Sequence, residues 1–379
     1  MGHKIEWVGP VENPSGYGAF ARSFILAMNK RGMKIQVLPV SFDTQKPELG
    51  AEGKEVESLI NGNRKGVNIS ILNMTPEFWQ KFKNPNPGVI NIGFTMFETT
   101  RIPDIWVTEC NKMDAIFVPC QWNVEVFKDS GVTIPIYCIS PGVEPEKYED
   151  KLPTNKIATV QDGTFLFYSI FQWTPRKNPE ALLRAYWSEF SGVNDVCLIL
   201  KTYLSNTSQS EQVKLKSIIA NIKSNINLKH YPRIIFIGGL LSNEEIADVH
   251  RTSNCLVLPT RAEGFGLPQM EAMAYGRTVI STNFSGNTDF QNKDNSYLLD
   301  YQLTPVQGMT WCPWYEGDML WADPDVYQLK KYMREVYTNR DEAKRIGLLG
   351  QKELFQNFNW DTRIKILRET FKKIVSEKK

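Results

Sequence analysis

The chain has 379 residues, of which 42% are hydrophobic and 23% charged, the proportions of a soluble globular protein. This length exceeds one ordinary domain and suits two. Its 44 Lys and Arg residues against 42 Asp and Glu leave a net charge of +2, which provides no overall field to attract nucleic acid or acidic lipid. Residues 1–150 carry 15 basic and 18 acidic side chains (−3), whereas the remainder carries 29 and 24 (+5). The basic bias of the second part favours a small phosphorylated ligand over a polyanion.

No segment of the sequence predicts export or membrane insertion. The start, MGHKIEWVGP, lacks the apolar core and cleavage site of a signal peptide, and no run approaches the roughly 18 apolar residues of a spanning helix. The six cysteines are scattered, and no pair has the spacing of a metal site. We therefore expect buried thiols and a cytoplasmic location.

In the first part of the chain, β-rich runs alternate with helical patterns, which predicts βαβ units on a parallel sheet. KIEWVG is the first predicted strand, followed by the loop PVENPSGYG and a helix over 19–30. The next predicted strands are KIQVLPV, NISILN, GVINIGF, AIFVPC and IPIYCIS. Residues 43–66 are predicted to be surface loop with some helix. The Pro-rich and charged stretch PGVEPEKYEDKLPTNK places a domain boundary near residue 155.

The alternation then restarts with the predicted strand TFLFYSIF. The helix PEALLRAYWSEF follows, with Asn178 as N-cap and Pro179 at its first position. Ser242 and Glu245 have the spacing of a capping box at the start of a later helix. The other predicted strands are VCLILKTY, RIIFIGG, NCLVLPT, TVIST and SYLLD.

From VYQLKKYMREVY onwards the patterns are helical. Asp323 and Asp325 of WADPD precede that segment, so we interpret them as helix-start acids rather than as a D-x-D metal pair. The whole organisation predicts an α/β fold with two doubly wound, Rossmann-like domains that face each other across a cleft. Ligands are expected at the carboxyl ends of the strands.

The stretch AEGFGLPQMEAMAYG, residues 262–276, joins a predicted strand to a predicted helix and contains two glutamates. A helix start attracts phosphate oxygens through its unpaired amides, and Gly264 and Gly266 permit close approach of a ligand. Carboxylates repel a diphosphate but accept hydrogen bonds from vicinal hydroxyls. Glu263 and Glu271 therefore predict a ligand with hydroxyls on both sides of a diphosphate, which is a nucleotide sugar.

The same stretch resembles the E-x7-E signature of retaining glycosyltransferases with the GT-B fold, particularly glycosyltransferase family 4. GFGLP, AMAYG and the strand TVIST are all in register with it. FQWTPRKNPEALLRAY looks like the basic loop and helix of that family, and SGNTDF and WADPD are weaker similarities. TMFETTRIPDIW, VPCQWNVEVFKDSGV and SPGVEPEKY look like the end of its amino-terminal domain. The resemblance implies an acceptor-side domain at 1–155, a donor-side domain at 156–345, and helices at 346–379 that pack back on the first domain.

The resemblance also implies roles for individual residues. Glu263 contacts the donor sugar near the reacting carbon, Lys177 and Arg176 neutralise the departing diphosphate, and Glu271 holds the ribose hydroxyls. The other implied donor contacts are the backbone amides of Phe265, Gly266 and Leu267 and, in the first domain, Gly16 and Gly18.

Two positions depart from the family pattern. The arginine that many relatives place five residues before the loop lysine is Gln172 here, so Arg176 is the candidate substitute. Some relatives also use a first-domain histidine near the reacting carbon. The histidines of this chain are His3, His230 and His250. Because none is at the matching place, Glu98 is the candidate substitute, and His250 is predicted to be a packing or surface residue.

The predicted activity is that of a hexosyl- or pentosyltransferase. It moves a sugar from a nucleoside-diphosphate sugar to a saccharide or other hydroxyl-bearing acceptor, and the resemblance implies retention of configuration. We expect no metal and no cofactor besides the sugar donor, because fixed cations and amides carry the charge of the leaving group. A nucleotide-sugar epimerase, a sugar phosphorylase and a non-catalytic nucleotide-sugar binder stay open. So does peripheral membrane contact through the basic tail. Nucleic acid is a disfavoured acceptor because the first domain is negatively charged.

Overall fold

The computed structural model describes residues 3–13, 15–41, 50–148 and 160–378. These residues form two units, the first comprising Met1–Glu144 and Asn357–Lys379, and the second Pro145–Gln356. The predicted boundary near residue 155 lies outside the described residues.

The first unit contains a sheet of six strands flanked by helices. The strands are β1 (Lys4–Gly9), β2 (Lys34–Pro39), β3 (Ile69–Asn73), β4 (Ile90–Phe94), β5 (Ala115–Val118) and β6 (Ile136–Cys138). The helices before residue 145 are α1 (Gly16–Lys30), α2 (Gly50–Ser58), α3 (Trp79–Phe82), α4 (Asp104–Cys110) and α5 (Gln121–Asp129). All strands are parallel and ordered β2-β1-β3-β4-β5-β6, as expected for runs whose side chains are buried on both faces.

The predicted strands of this unit are confirmed, with small changes at the helices. Helix α1 begins at Gly16, three residues before the predicted start at Ala19, because the extended Ser15 already occupies the N-cap position. Of the loop predicted at 43–66, residues 43–49 lie outside the described residues, and α2 occupies part of the rest.

The described residues of the second unit form six parallel strands, a hairpin and six helices. The parallel strands are β7 (Phe165–Gln172), β8 (Val196–Tyr203), β9 (Arg233–Ile237), β10 (Cys255–Leu258), β11 (Thr278–Thr282) and β12 (Tyr297–Leu299). The antiparallel hairpin pairs β13 (Tyr301–Pro305) with β14 (Leu320–Pro324). The helices are α6 (Pro179–Glu189), α7 (Gln209–Ser224), α8 (Asn243–Thr252), α9 (Leu267–Ala274), α10 (Val326–Thr338) and α11 (Arg340–Asn357).

The large sheet of this unit has the order β12-β11-β10-β7-β8-β9. The chain runs outwards from β7 to β9 and then returns to the other side of β7, so the connections reverse direction between β7 and β10. This is the doubly wound arrangement in which ligands bind beside the carboxyl ends of the two central strands. The two predicted Rossmann-like sheets are thereby confirmed.

The final helix, α12 (Trp360–Glu377), belongs to the first unit although it follows the second unit in sequence. Trp360 packs edge-to-face on Phe24 of α1 with ring centroids 4.9 Å apart, and Arg31 binds the carboxylate of Asp361 at 2.8 Å. The α12 helix therefore completes the aromatic core of the first unit.

Three local predictions had different outcomes. The capping box is confirmed, since Ser242 Oγ accepts from the Glu245 N–H at 3.2 Å and Glu245 accepts from the Ser242 N–H at 2.7 Å. Asn178 occupies the N-cap position of α6, but its side chain forms no capping bond because its backbone is left-handed, with φ of 52°. The helix-start interpretation is correct for Asp325, which caps α10, and wrong for Asp323.

Asp323 lies in β14 and forms an ion pair with Arg261 at 3.0 Å. The hairpin was missed because β13 is almost wholly exposed and has no buried apolar run, and cross-strand pairing rather than a local pattern stabilises it. In the ranges that the structure describes, no helix combines the length and apolarity needed to cross a membrane, and no His, Cys, Asp and Glu cluster could hold a metal ion. None of the six cysteines, all of which lie in described ranges, forms a disulfide, and four of them are buried.

Candidate functional site

Two loops of the second unit meet where the sheet connections reverse. One loop follows β7 and contains a turn of 3₁₀ helix at Pro175–Lys177, and the other follows β10 and leads into α9. Because β7 and β10 are neighbouring parallel strands, their carboxyl ends bring the two loops together. Arg176 and Lys177 lie on the first loop, and Glu263 lies on the second. The structure therefore assembles the predicted basic loop and the first predicted glutamate at one place.

Backbone and guanidinium hydrogen bonds hold the two loops against each other. The Arg261 N–H donates to the Arg176 carbonyl at 2.7 Å, and Arg176 Nη1 donates to the Ala262 carbonyl at 2.8 Å. Arg261 Nη1 also donates to the carbonyl of Pro175. Since each loop satisfies polar groups of the other, neither can move far alone, and the side chains between them are preorganised.

Lys177 and Glu263 form a buried ion pair at this junction. Lys177 Nζ lies 2.7 and 2.6 Å from the two carboxylate oxygens of Glu263, and Arg176 Nη1 lies 3.5 Å from one of them. The Glu263 side chain is 5% exposed and that of Lys177 12% exposed. Burial raises the pKa of Glu263, but the charges of Lys177 and Arg176 and hydrogen bonds from Lys177 and Thr260 outweigh it and hold the pKa below 4.5.

This direct pairing adds to what the sequence predicts for these residues. The resemblance assigns the sugar to Glu263 and the diphosphate to Lys177, and the structure shows that the two side chains also bind each other. A carboxylate offers about four lone-pair sites and an ammonium three donors, so the pair keeps capacity for further hydrogen bonds. The arrangement can present a hydrogen-bond acceptor, the Glu263 carboxylate, and a cation, the Lys177 ammonium, side by side to one ligand.

The start of α9 supplies backbone donors beside this pair. Gly266 is its N-cap in a left-handed conformation, with φ of 99°, which a residue with a side chain rarely adopts. The N–H groups of the first turn have no intrahelical acceptors, and this includes Leu267. The ring of Phe265 is buried against Phe290 with centroids 5.1 Å apart, so the interior packing of Phe265 anchors the loop.

A third segment, Ser285–Asp289 after β11, contacts the loop that carries Glu263. The sequence indicated this segment only weakly. Ser285 Oγ accepts from the Glu263 N–H at 2.7 Å, and the Gly286 N–H donates to the Glu263 carbonyl at 3.0 Å. A Cβ on Gly286 would lie 2.5 Å from the Gly264 carbonyl oxygen. The sequence signal for this segment was the Ser-Gly pair that follows the predicted strand TVIST. Which loop that pair contacts depends on the tertiary structure and not on neighbouring residues.

Gly286→Ala is expected to lower the stability of the second unit by about 1–3 kcal/mol, since the added methyl overpacks the backbone of the Glu263 loop. Chemical denaturation of the full chain measures this loss. Gly317→Ala is the control because a Cβ there meets no atom within 4 Å. Equal stability of the two variants would contradict the tight contact.

Glu271 lies on α9 in a different environment from Glu263. Its side chain is 46% exposed, and its Oε2 lies 3.8 Å from Nε2 of the His250 imidazole. The exposed carboxylate is available to a ligand, whereas Glu263 is already engaged. His250 is fully buried, which excludes the surface alternative for this residue.

The candidates in the first unit lie near the carboxyl ends of its strands. Gly16 has open space where a Cβ would be, but a Cβ on Gly18 would lie 1.9 Å from the Asn13 carbonyl oxygen. Gly18 is therefore required by the packing of its own loop. Tyr17 lies between them, with its hydroxyl 3.3 Å from Thr95 Oγ1. Burial and the nearby charge of Glu98 both raise the pKa of Tyr17, so the SGYG loop and Glu98 share one region.

Gln172 does not take part in the Lys177–Glu263 cluster. Its side chain is exposed and donates to the Leu204 carbonyl at 2.9 Å. Arg176 does reach the cluster, as its 3.5 Å distance to Glu263 shows. Whether Arg176 carries out the role of the family arginine stays a prediction.

Comparison with known proteins gives a consistent picture of the second unit. Residues 163–304 match the family model of glycosyl transferases group 1. An uncharacterized glycosyltransferase of Methanocaldococcus jannaschii is 27% identical over 161 residues, which are 42% of this chain. The match spans 38% of the length of that relative.

Solved structures resemble nearly the whole chain. Sucrose-phosphate synthase from Thermosynechococcus elongatus has a TM-score of 0.70 at 13% identity, covering 99% of this chain and 100% of its own. Anabaena HepE in complex with UDP and glucose has a TM-score of 0.63 at 12% identity, with coverages of 98% and 99%. A glycosyltransferase from Rickettsia africae has a TM-score of 0.63 at 16% identity, with 99% of each chain covered. Taken together, these likenesses show that this chain has the GT-B fold, and its residues 163–304 match the family model of glycosyl transferases group 1.

Proposed function

We propose that this protein transfers a sugar from a nucleoside-diphosphate sugar to a hydroxyl group of an acceptor, with retention of configuration and without a metal ion. The observation that carries the proposal is the buried Lys177–Glu263 pair, with Arg176 beside it, at the point where the sheet connections reverse. The residues are those that the E-x7-E resemblance assigns to the donor.

The charges at this place suit a departing diphosphate. When the bond between the anomeric carbon and the phosphate oxygen breaks, its electron pair stays on the phosphate, which becomes more negative. Lys177, Arg176 and the first amides of α9 offer preorganised positive charge, which stabilises such a transition state in a site shielded from water. These groups can replace the charge compensation that a divalent cation provides in other transferases.

Glu263 is better suited to hold the sugar than to donate a proton. Its lowered pKa keeps it ionised, because Lys177 and Arg176 outweigh the effect of burial. An ionised carboxylate accepts hydrogen bonds from sugar hydroxyls. The proton of the acceptor hydroxyl then goes to the departing phosphate oxygen, while the acceptor oxygen bonds to the anomeric carbon on the face that the phosphate leaves.

Glu271 is the proposed contact of the ribose. Its half-exposed carboxylate can accept from two vicinal hydroxyls, and it lies about one turn along the helix whose start is proposed to hold the phosphates. The HepE structures contain UDP and UDP-glucose, which makes uridine nucleotides the first donors to examine here. Gly16, Gly18 and Glu98 of the first unit stay predictions from the family resemblance.

A thermal-shift screen of UDP-, GDP- and ADP-linked sugars tests the donor site. A ligand at 100 times its dissociation constant adds about 2.7 kcal/mol of stability, so one of these sugars is expected to raise the melting temperature clearly. Glu271→Ala is expected to abolish most of that shift. Glu180→Ala is the matched control, since Glu180 is a similarly exposed helix glutamate, 56% exposed, on α6.

The alternative functions predict different results with the same protein preparation. A nucleotide-sugar epimerase converts the donor without any acceptor, a sugar phosphorylase requires inorganic phosphate, and a non-catalytic binder shows the shift with no product. If no nucleotide sugar changes the melting temperature, the proposed function is wrong.

A further inference from the structure

A buried histidine lies directly behind the proposed ribose contact. His250 is in the last turn of α8, and its side chain is 1% exposed. Its Nε2 atom lies 3.8 Å from Oε2 of Glu271 and has no hydrogen-bond partner among the described residues. A fully buried imidazole nitrogen is costly to leave unpaired. The half-exposed carboxylate of Glu271 is the polar group that lies beside it.

The other ring nitrogen determines which tautomer is present. His250 Nδ1 lies 2.7 Å from the hydroxyl of Tyr168, a buried residue of β7. Burial raises the pKa of Tyr168 well above its ordinary value, so the phenol keeps its proton and can donate it to Nδ1. With Nδ1 as the acceptor, the imidazole hydrogen lies on Nε2, the ring nitrogen that is 3.8 Å from Glu271 Oε2. The opposite tautomer would aim a lone pair at a carboxylate, which is unfavourable.

Neighbouring rings fix the plane of the imidazole. His250 stacks on Tyr275 with an interplanar angle of 13° and a centroid distance of 5.0 Å, and it is nearly perpendicular to Tyr168 at 89°. Arg251 lies 5.7 Å from the centre of the Tyr275 ring and holds it in place. The direction of the Nε2–H bond is therefore set by three packed side chains and not by the ligand.

We propose that His250 is a positioning residue, which orients the carboxylate of Glu271 so that it accepts from both ribose hydroxyls of a nucleotide. This inference rests on the proposed function and adds a residue that does not touch the ligand. When the carboxylate turns toward bound ribose, one oxygen closes the remaining gap to Nε2–H. The free energy of that hydrogen bond then favours the orientation in which the carboxylate accepts from both hydroxyls of the ribose. The protein therefore binds ribose nucleotides more tightly than deoxyribose nucleotides.

Two substitutions at His250 separate positioning from packing. His250→Gln places its terminal amide where Nε2 stands and keeps a donor for Glu271. His250→Asn places its amide near Nδ1, so it keeps a partner for Tyr168 and loses the donor. Both remove the stacked ring, so if only the ring matters, neither variant keeps the wild-type preference for ribose.

The measurement is the ratio of dissociation constants for UDP, GDP and ADP and their 2′-deoxy counterparts, by calorimetry on the full chain. The wild-type ratio for the nucleotide that binds is expected to be about tenfold or more, the size of one hydrogen bond to a charged group. His250→Asn is expected to reduce that ratio to near one, and His250→Gln is expected to keep most of it. An unchanged ratio in His250→Asn, or equal losses in both variants, overturns the proposal.

Tyr168→Phe provides a second test that leaves the imidazole in place, in case the His250 variants do not fold. Without the phenol the tautomer is no longer fixed, so a partial loss of the ribose preference is expected, and full retention overturns the proposal. Glu271→Ala distinguishes this inference from the proposed function. If Glu271→Ala removes the ribose preference while His250→Asn keeps it, only the role of His250 is wrong. If Glu271→Ala has no effect on nucleotide binding, the donor site itself is wrong.

Discussion

Lys177→Met is expected to reduce the rate of sugar transfer about 10²–10³-fold, the loss typical of removing one preorganised charge-stabilising donor. Methionine keeps the length and apolar stem of lysine and removes the charge that would face the leaving diphosphate. The measurement is kcat with a saturating donor and the acceptor found by screening. Lys214→Met is the control, because Lys214 is 67% exposed and pairs with Glu211 on the surface of α7.

A double variant distinguishes two explanations of that loss. Lys177→Met also leaves Glu263 without its closest cation, so the rate could fall merely because the loop rearranges. Lys177→Met combined with Glu263→Gln removes both charges and relieves this imbalance. If Lys177 stabilises the leaving group, the double variant is slower than Glu263→Gln alone. Equal rates of the double variant and Glu263→Gln would show that Lys177 serves only to neutralise Glu263.

Glu263→Gln is expected to lower kcat about 10²-fold, the cost of small misplacements of reacting groups, and to change the dissociation constant of the bare nucleotide much less. The reason is that Glu263 is proposed to orient the sugar, which the bare nucleoside diphosphate lacks. Steady-state kinetics and calorimetry on the same preparation provide the two numbers. Equal losses in turnover and in nucleotide binding would mean that Glu263 has another role.

The same variant is expected to be less stable by about 3–5 kcal/mol, because breaking a buried pair leaves the charge of Lys177 uncompensated. This difference depends on pH in a defined direction. The pKa of Glu263 is lower in the folded protein than its ordinary 4.5, so its contribution is fully present above pH 4.5 and is lost as the pH falls through the lower, folded value. Denaturation curves of the two proteins should therefore converge as the solution is acidified below pH 4.5.

The elements of the fold were largely predictable. Buried parallel strands are nearly continuous hydrophobic runs, such as TFLFYSIF and VCLILKTY, and capping residues such as Ser242 mark helix starts with local chemistry. The hairpin of β13 and β14 was not predictable in this way. Its pairing from Tyr301 with Pro324 to Pro305 with Leu320 closes a long loop, and neither short strand has a pattern of its own.

The candidate site was predictable in its parts and not in its connections. Glu263 and Glu271 stand out because eight positions separate them around a glycine-rich corner. The contact of Lys177 with Glu263 joins residues 86 positions apart and depends on the strand order of the sheet. The environment of His250 depends on the same strand order, because its partners come from β7 and α9 as well as from its own helix.

The amino-acid sequence was sufficient to specify two α/β units and a glycine-rich corner with paired acids, because periodicity, caps and turns act over a few neighbouring residues. The tertiary structure decided that Lys177 and Glu263 share a buried site and that His250 faces Glu271. It also decided that Gly286 presses against the loop of Glu263 and that α12 completes the first unit. These relations depend on which strands become neighbours, and strand order follows from the packing of the whole unit rather than from any local pattern.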